Sequence, residues 1–380
     1  MDNIFFNAYL SKNLGDDLFV QVVANRYPNI KFTVLAGESY QGLLPDNVIL
    51  GLDSNYYRKE KRDKRILKKL SKFHLPTRLL YPEFLRNSYQ TLYSQSKKSD
   101  LGIYVIGSAF MENDRYRITS YLADYLYYKE HPIVLSCNFG PYHSEGYLKK
   151  HRKLLSMAKD VCWRDTESYS LFSKLPNMRR HMDIVFNYNL GEEPYLPTNF
   201  GDYVVISVVS PDKSKTLSKK NVDYINFLIQ VIEECRRQSL KVVLAGFCEG
   251  EGDAYISKQI LSKLSNTEDI IAVQYPELNY KEMMGIFSNS KKVITARYHA
   301  MVIGLLYQKP THIIAYSDKT INVINDIDPA IRYIDTRNLE GISAKDFVDN
   351  FGYQISDERI YSIKKSANEQ FLILDRELRN

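Results

Sequence analysis

Short apolar runs alternate along the chain with stretches of helical spacing. In the first half, Ile4–Phe6, Phe32–Leu35, Val48–Leu52, Ile103–Ile106, Ile133–Ser136, Val161–Trp163 and Ile184–Phe186 read as strands. Asp17–Ala24, Arg117–Tyr128 and Tyr147–Ala158 read as helices between them. A second series follows, with strands at Tyr203–Val209, Val242–Phe247, Ile270–Gln274, Val293–Thr295, His312–Tyr316 and Ile331–Ile334. Its helices are Val222–Arg237, Ala254–Leu264, Lys281–Phe287 and Ile321–Asp326, and Asp357–Leu378 reads as one long polar helix. Alternation of this kind predicts parallel sheets covered by helices on both faces. Between the two series lies Leu190–Gly201, with two prolines and two glycines in a polar context, the best linker candidate.

The expected architecture is therefore α/β, with two Rossmann-like domains facing each other across a cleft. Residues 1–190 form the first domain, 191–202 the linker and 203–354 the second domain. Residues 355–380 form a C-terminal helix that can pack back on the first domain. At 380 residues the chain is long enough for two real cores. Its 25% charged and 44% hydrophobic residues are those of a globular protein. No apolar run reaches bilayer length, and Met1–Phe6 lacks the basic region of a signal peptide, so a cytoplasmic location is expected. Cys137, Cys162, Cys235 and Cys248 are scattered without a C-x-x-C pair and read as buried free thiols.

The net charge of +6 is uneven. Between Tyr57 and Asp100 there are 13 Lys and Arg against four Asp and Glu, so that segment carries +9 and the rest of the chain −3. Ile66, Leu67, Leu70 and Phe73 fall on one helical face there. A basic amphipathic helix at 58–86 suits peripheral contact with an anionic membrane, or a solvated face packed on the domain. No nucleic-acid motif accompanies the charge, and no nucleic-acid partner is expected.

Candidate chemistry sits at strand ends, where ligands bind in open α/β sheets. Arg297 and His299 fall where the strand ending at Thr295 gives way to a helix. A fixed guanidinium and a titratable imidazole beside a helix N-terminus suit an anionic ligand whose reaction moves a proton. The plainer reading is a surface ion pair and a packed histidine. After the first strand comes Asn13-Leu14-Gly15-Asp16-Asp17. One aspartate can cap the next helix, and the other is a candidate base for a hydroxyl. Gly107-Ser108 and Asn138-Phe139-Gly140-Pro141 let a ligand approach backbone, or are ordinary loops. Arg164 and Asp165 pair with neighbours, or Arg164 holds an anion, and Asp183 reads more as a structural partner than as chemistry. Ser207, Lys213 and Lys215 offer a hydroxyl and two cations for a phosphate. Phe247–Asp253 reads as a flexible acidic loop. Neither G-x-G-x-x-G nor P-loop spacing occurs, and no metal-ligand spacing is present, so no metal is expected.

Taken in order, Asn13-x-Gly15-Asp16-Asp17, Gly107-Ser108, Gly140-Pro141, Arg164-Asp165-x-x-Ser168, Asp183-x-Val185-Phe186 and Arg297-x-His299 through Gly304, Pro310 and Tyr316 to Lys319 resemble the polysaccharide pyruvyl transferase family. The resemblance spans about residues 1 to 320. It implies a fold like the GT-B glycosyltransferases. It also implies transfer of pyruvate from phosphoenolpyruvate to a sugar as a cyclic ketal, with release of phosphate. The sugar would belong to a bacterial-type surface polysaccharide or its lipid-linked precursor, placing the protein at the inner face of the cell membrane. Phosphoenolpyruvate is then the donor substrate, and no cofactor is required.

Such a reaction needs cations for the donor, a proton donor and a base. His299, Arg297, Asp16 and Asp17 are the catalytic candidates. Arg297, Arg164, Lys319, Ser207 and Lys213 are the donor-binding ones, and Asn13, Gly15, Ser108 and Asn138 the acceptor-binding ones. In one place the chain departs from the family pattern. Where members carry an arginine after the first strand of the second domain, Val208-Val209-Ser210 stands here, and Lys213 or Lys215 is the candidate substitute. A GT-B glycosyltransferase using a nucleotide sugar, and an inactive glycan-binding or scaffolding family member, are the rival readings.

Overall fold

The computed structural model describes residues 3–51, 97–108, 110–112, 128, 130–191, 200–211, 218, 220–339 and 341–379, with the backbone alone at Lys319. The expected basic helix at 58–86, all of the expected helix Arg117–Tyr128 but Tyr128, most of the linker, and Lys213 and Lys215 lie outside the described residues. The chain divides into two compact units. One holds Met1–Leu10, Phe19–Ile184 and Asn368–Asn380; the other holds Ser11–Leu18 and Val185–Ala367. The sequence reading placed the first boundary at 190 and kept Ser11–Leu18 in the first domain.

The first unit is built on seven parallel strands: β1 (Ile4–Ala8), β2 (Phe32–Val34), β3 (Val48–Leu50), β4 (Leu101–Val105), β5 (Ile133–Cys137), β6 (Asp160–Trp163) and β7 (Met178–Arg180). Their order is β3-β2-β1-β4-β5-β6-β7. The second unit has six: β8 (Tyr203–Ser207), β9 (Lys241–Gly246), β10 (Ile270–Gln274), β11 (Lys292–Thr295), β12 (Thr311–Ala315) and β13 (Tyr333–Asp335), in the order β10-β9-β8-β11-β12-β13. Every pairing is parallel. In both sheets the strand order reverses beside the unit's first strand. The switch points fall between β1 and β4 and between β8 and β11, and such a point is where doubly wound folds place ligands.

Strands buried on both faces are largely apolar, which is why β5, β8 and β12 read so clearly. The helices are α1 (Leu14–Arg26), α2 (Glu145–Leu155), α3 (Thr166–Phe172), α4 (Asn221–Arg237), α5 (Asp253–Lys263), α6 (Tyr280–Ser288), α7 (Tyr298–Leu306), α8 (Asp318–Ile327), α9 (Ala344–Asn350), α10 (Asp357–Asn368) and α11 (Leu372–Arg379). Side chains start several of them. The Asp165 carboxylate accepts from the Ser168 amide at α3, and Asn279 and Glu282 form a reciprocal cap at α6. All four cysteines are free and buried. No helix among the described residues is long and apolar enough to cross a membrane.

Two expected elements differ. Ile184–Phe186, read as a strand, lies in the 3₁₀ turn Ile184–Asn187, and the edge strand is Met178–Arg180 instead. The expected helix Asp357–Leu378 is broken by a 3₁₀ turn at Glu369–Phe371. The break carries Gln370 into the first unit's core. Its amide oxygen accepts from the Ser136 amide at 3.1 Å, and its nitrogen donates to the His181 carbonyl at 3.0 Å. Beyond it Asp375 accepts from both Arg26 Nη2 (2.7 Å) and Tyr27 Oη (2.6 Å), so this last segment is fastened to the N-terminal sheet's unit.

Candidate functional site

In the second unit the chain leaves β11 through a turn that Thr295 makes with its own side chain. Thr295 Oγ1 accepts from the Arg297 amide at 2.9 Å and donates to the Arg297 carbonyl at 3.0 Å. Arg297 is thereby the extended residue before α7. Its three guanidinium nitrogens go three ways. Nε donates to the Val208 carbonyl just past β8 (3.1 Å), Nη1 to Glu251 Oε2 (2.8 Å), and Nη2 to Asp253 Oδ1. The side chain is 10% exposed. Burial pulls the guanidinium pKa down, but the Asp253 and Glu251 carboxylates more than offset this, and the net shift is upward. Arg297 stays charged under any working condition.

Asp253 links this cluster to the β9 end, where its second oxygen accepts from the amides of Phe247 (2.8 Å) and Cys248 (3.0 Å). The same strand end receives the segment Ser11–Leu18. The Leu14 amide donates to the Phe247 carbonyl at 2.9 Å, and Asn13 bridges Cys248. Asn13 Oδ1 then accepts from the Gly15 amide at 3.0 Å and begins α1. Gly15 has to be glycine, because a Cβ there would overlap the His299 imidazole. Asp17 is buried and accepts from Tyr275 Oη at 2.6 Å, while Asp16 is half-buried. Burial and the Glu251 charge push the Cys248 thiol up to about 11, which leaves no thiolate near neutral pH.

The structure thus brings Asn13, Gly15, Asp17, Arg297 and His299 into one unit. Ser207 is buried at the level of Thr295, and its hydroxyl has no hydrogen-bond partner among the described residues. Lys319 lies in α8, represented by its backbone alone.

The remaining candidates are in the first unit and form a different arrangement. Arg164 follows β6 with 2% of its side chain exposed. Nη1 donates to Asp183 Oδ2 at 2.8 Å, and Nη2 to Asn138 Oδ1 at 3.0 Å. Gly107 lies over that guanidinium, where a Cβ would come within 3.0 Å of Nη1. The Asn138 amide donates to the Gly107 carbonyl at 2.9 Å, and the Phe139 amide to Ser168 Oγ at 2.7 Å. Ser108 is half-buried at the end of β4. Arg164 and Asn138, expected to touch donor and acceptor, are hydrogen-bonded to each other in a buried network that ties three strand ends together. Two residues of the second unit were missed as partners: Glu251 and Asp253, read from sequence as part of a flexible acidic loop. The only signal for them is their place just after β9, which β8 alone separates from β11, the strand preceding Arg297.

Solved structures of similar fold include the UDP-GlcNAc 2-epimerase of Methanocaldococcus jannaschii, in complex with UDP-GlcNAc and UDP. It matches at 10% identity with a TM-score of 0.57, over 98% of this chain and 99% of that one. The UDP-GlcNAc 2-epimerase of Neisseria meningitidis bound to UDP-GlcNAc matches at 11% identity and a TM-score of 0.56, over the full length of both chains. HepE of Anabaena, in complex with UDP and glucose, matches at 13% identity and 0.51, over 98% and 95%. With two parallel sheets of seven and six strands, the chain has a GT-B-type α/β fold. No curated protein matches it in sequence. The family model for polysaccharide pyruvyl transferase matches residues 13–318, from the Asn13 that opens α1 to the residue that opens α8, and the chain belongs to that family.

Proposed function

We propose that the protein transfers pyruvate from phosphoenolpyruvate to a sugar of a surface polysaccharide or its precursor and closes a cyclic ketal. One observation carries this reading. The two ends of the family match, Asn13–Asp17 and Arg297–His299, meet in one unit, with the His299 ring packed on Gly15 and Arg297 braced two residues away. The donor carries a carboxylate and a phosphate, and Arg297 is the permanent cation at that strand end. Protonation of the donor's methylene carbon makes its C2 an oxocarbenium-like centre that a sugar hydroxyl attacks. Phosphate leaves, and a second hydroxyl attacks the same carbon. One hydroxyl proton ends on the new methyl group and the other on phosphate. His299 is assigned the proton transfer, since an imidazole works near neutral pH. Asp16, the half-buried aspartate, orients the acceptor hydroxyl, and Asp17 serves with Tyr275 to seat α1. Ser207 and Lys213 or Lys215 are the further donor contacts.

The test is incubation with phosphoenolpyruvate and a panel of glycan acceptors, read by mass spectrometry for the pyruvyl mass increment and by phosphate release. Phosphoenolpyruvate should also raise the melting temperature. A rise with UDP and none with phosphoenolpyruvate would favour a nucleotide-sugar transferase, for which the UDP complexes of the structural neighbours are the present support.

The basic stretch 58–86 is proposed to rest on the inner membrane leaflet, where a lipid-linked acceptor would be met. Each basic residue near an anionic surface contributes about 1 kcal/mol within a Debye length. Binding to anionic liposomes should fade as salt rises and be lost when Lys64, Arg65, Lys68 and Lys69 become glutamine. Equal recovery with neutral liposomes would mean a solvated helix.

A further inference from the structure

The two carboxylates on Arg297 are held in very different ways. Asp253 is fully buried, and besides Arg297 it accepts from two backbone amides, those of Phe247 and Cys248. Withdrawing it would orphan three buried donors. Glu251 is 35% exposed, and its side chain has one partner, Arg297 Nη1. It sits between two glycines. A side chain at Gly250 would meet open space, and Gly252 holds φ at +84°, a backbone state that favours glycine. Glu251 can therefore leave for the cost of one half-exposed ion pair, while Asp253 and the Val208 carbonyl keep the guanidinium in place.

Charge says that it must leave. At Arg297 itself one guanidinium and two carboxylates sum to −1, so an anionic group of the donor is repelled from that guanidinium while both carboxylates stay on it. It has to replace one of the anions. We infer that Glu251 occupies the position that the donor's anionic group takes on Arg297 and is exchanged for it on binding. Glu251 is then a specificity-determining residue. A ligand enters only if it can take over a charge-assisted hydrogen bond to the guanidinium, so anions displace Glu251 and neutral sugars do not. Asp253 is the positioning residue that keeps Arg297 aimed during the exchange. This inference rests on the donor role given to Arg297 under Proposed function.

The test is isothermal titration of the full-length protein with phosphoenolpyruvate, comparing wild type with Glu251→Gln and Glu249→Gln. Glu249 stands on the same loop but pairs with Lys12 at 3.7 Å, so its substitution removes the same charge without touching Arg297. Glu251→Gln should bind phosphoenolpyruvate about tenfold more tightly than wild type, the size expected for losing one half-exposed competing ion pair. Glu249→Gln should change affinity by less than about twofold. Equal gains in the two variants, or weaker binding by Glu251→Gln, would overturn the exchange while leaving the donor reading intact. No binding by any of the three proteins would instead overturn the donor reading, and the exchange with it.

Discussion

Arg164 and Arg297 each leave the end of a parallel strand, and each meets carboxylates, yet the two surroundings differ in exposure and in charge balance. Arg164 faces one carboxylate and one amide oxygen, and both members of the Arg164–Asp183 pair are sealed from solvent. Within that pair one guanidinium meets one carboxylate. Arg297 faces two carboxylates and a carbonyl, with one of the carboxylates reaching solvent. A balanced, buried pair has nothing to offer a ligand, because any exchange would strand a charge in the interior. An overbalanced pair with an exposed member can exchange. Burial and counter-charge therefore separate an arginine that holds strands from the one proposed above to hold a substrate, although both occupy strand ends.

The sharpest way to break this contrast is to remove the partners. Asp183→Ala leaves the Arg164 guanidinium charged and buried, and should cost about 3–5 kcal/mol of unfolding free energy. Urea denaturation of the first unit's transition measures it. A loss below about 1 kcal/mol would mean that water reaches Arg164 and that the pair is not sealed.

The second unit's arginine should respond in activity instead. Arg297→Lys offers a single ammonium where three acceptors point at three separate nitrogens, so the brace and the donor contact cannot both be kept. Turnover per donor concentration, kcat/KM, should fall by about tenfold or more in a variant that circular dichroism shows to be folded. His299→Ala should lower kcat by roughly 10²–10⁴, the usual range for a group that moves a proton. Because its ring rests on Gly15, circular dichroism must show the variant folded. A folded variant with unchanged kcat would return His299 to a packing role.

Much of this arrangement was legible in the sequence. Strands such as Ile133–Cys137 and Thr311–Ala315 announce themselves because a doubly covered sheet leaves no polar face. Arg297 and His299 could be placed at a strand end from local pattern alone. Met178–Arg180 could not be read, since an edge strand tolerates charge and Arg179 serves there by pairing with Asp160 at 2.7 Å. Ile184–Asn187 misled because three buried apolar residues fit one turn of helix as well as a short strand. The roles of Glu251 and Asp253 were hidden for another reason. Their partner lies 46 and 44 residues further along the chain, so only the adjacency of β9, β8 and β11 discloses it. Likewise nothing local says that Gly15 must clear an imidazole almost 300 residues away.

The smallest effect concerns a second matched pair of groups, one histidine buried in each unit. His151 donates from Nδ1 to the Tyr147 carbonyl at 2.9 Å and lies among Tyr147, Phe139 and Phe110. His312 donates to the Phe347 carbonyl at 3.0 Å and packs against Phe347 and Gly352. Burial is the main cause that lowers each to about 4, against partial opposition from the carbonyl bond. Below about pH 6.5 an unfolded chain protonates both rings and the folded chain does not. The unfolded state then binds more protons, so stability is full above pH 6.5 and is lost as pH falls toward 4. Each ring can contribute up to about 1.4 kcal/mol per pH unit across that window. His151→Phe should flatten the acid side of the stability profile for the first unit's transition, and His312→Phe that of the second unit's. If the two transitions are separable, each substitution should move only its own. A profile that keeps its full slope in both variants would mean that carboxylates such as Asp375, held low by Arg26 and Tyr27 against the opposing effect of burial, dominate acid unfolding instead.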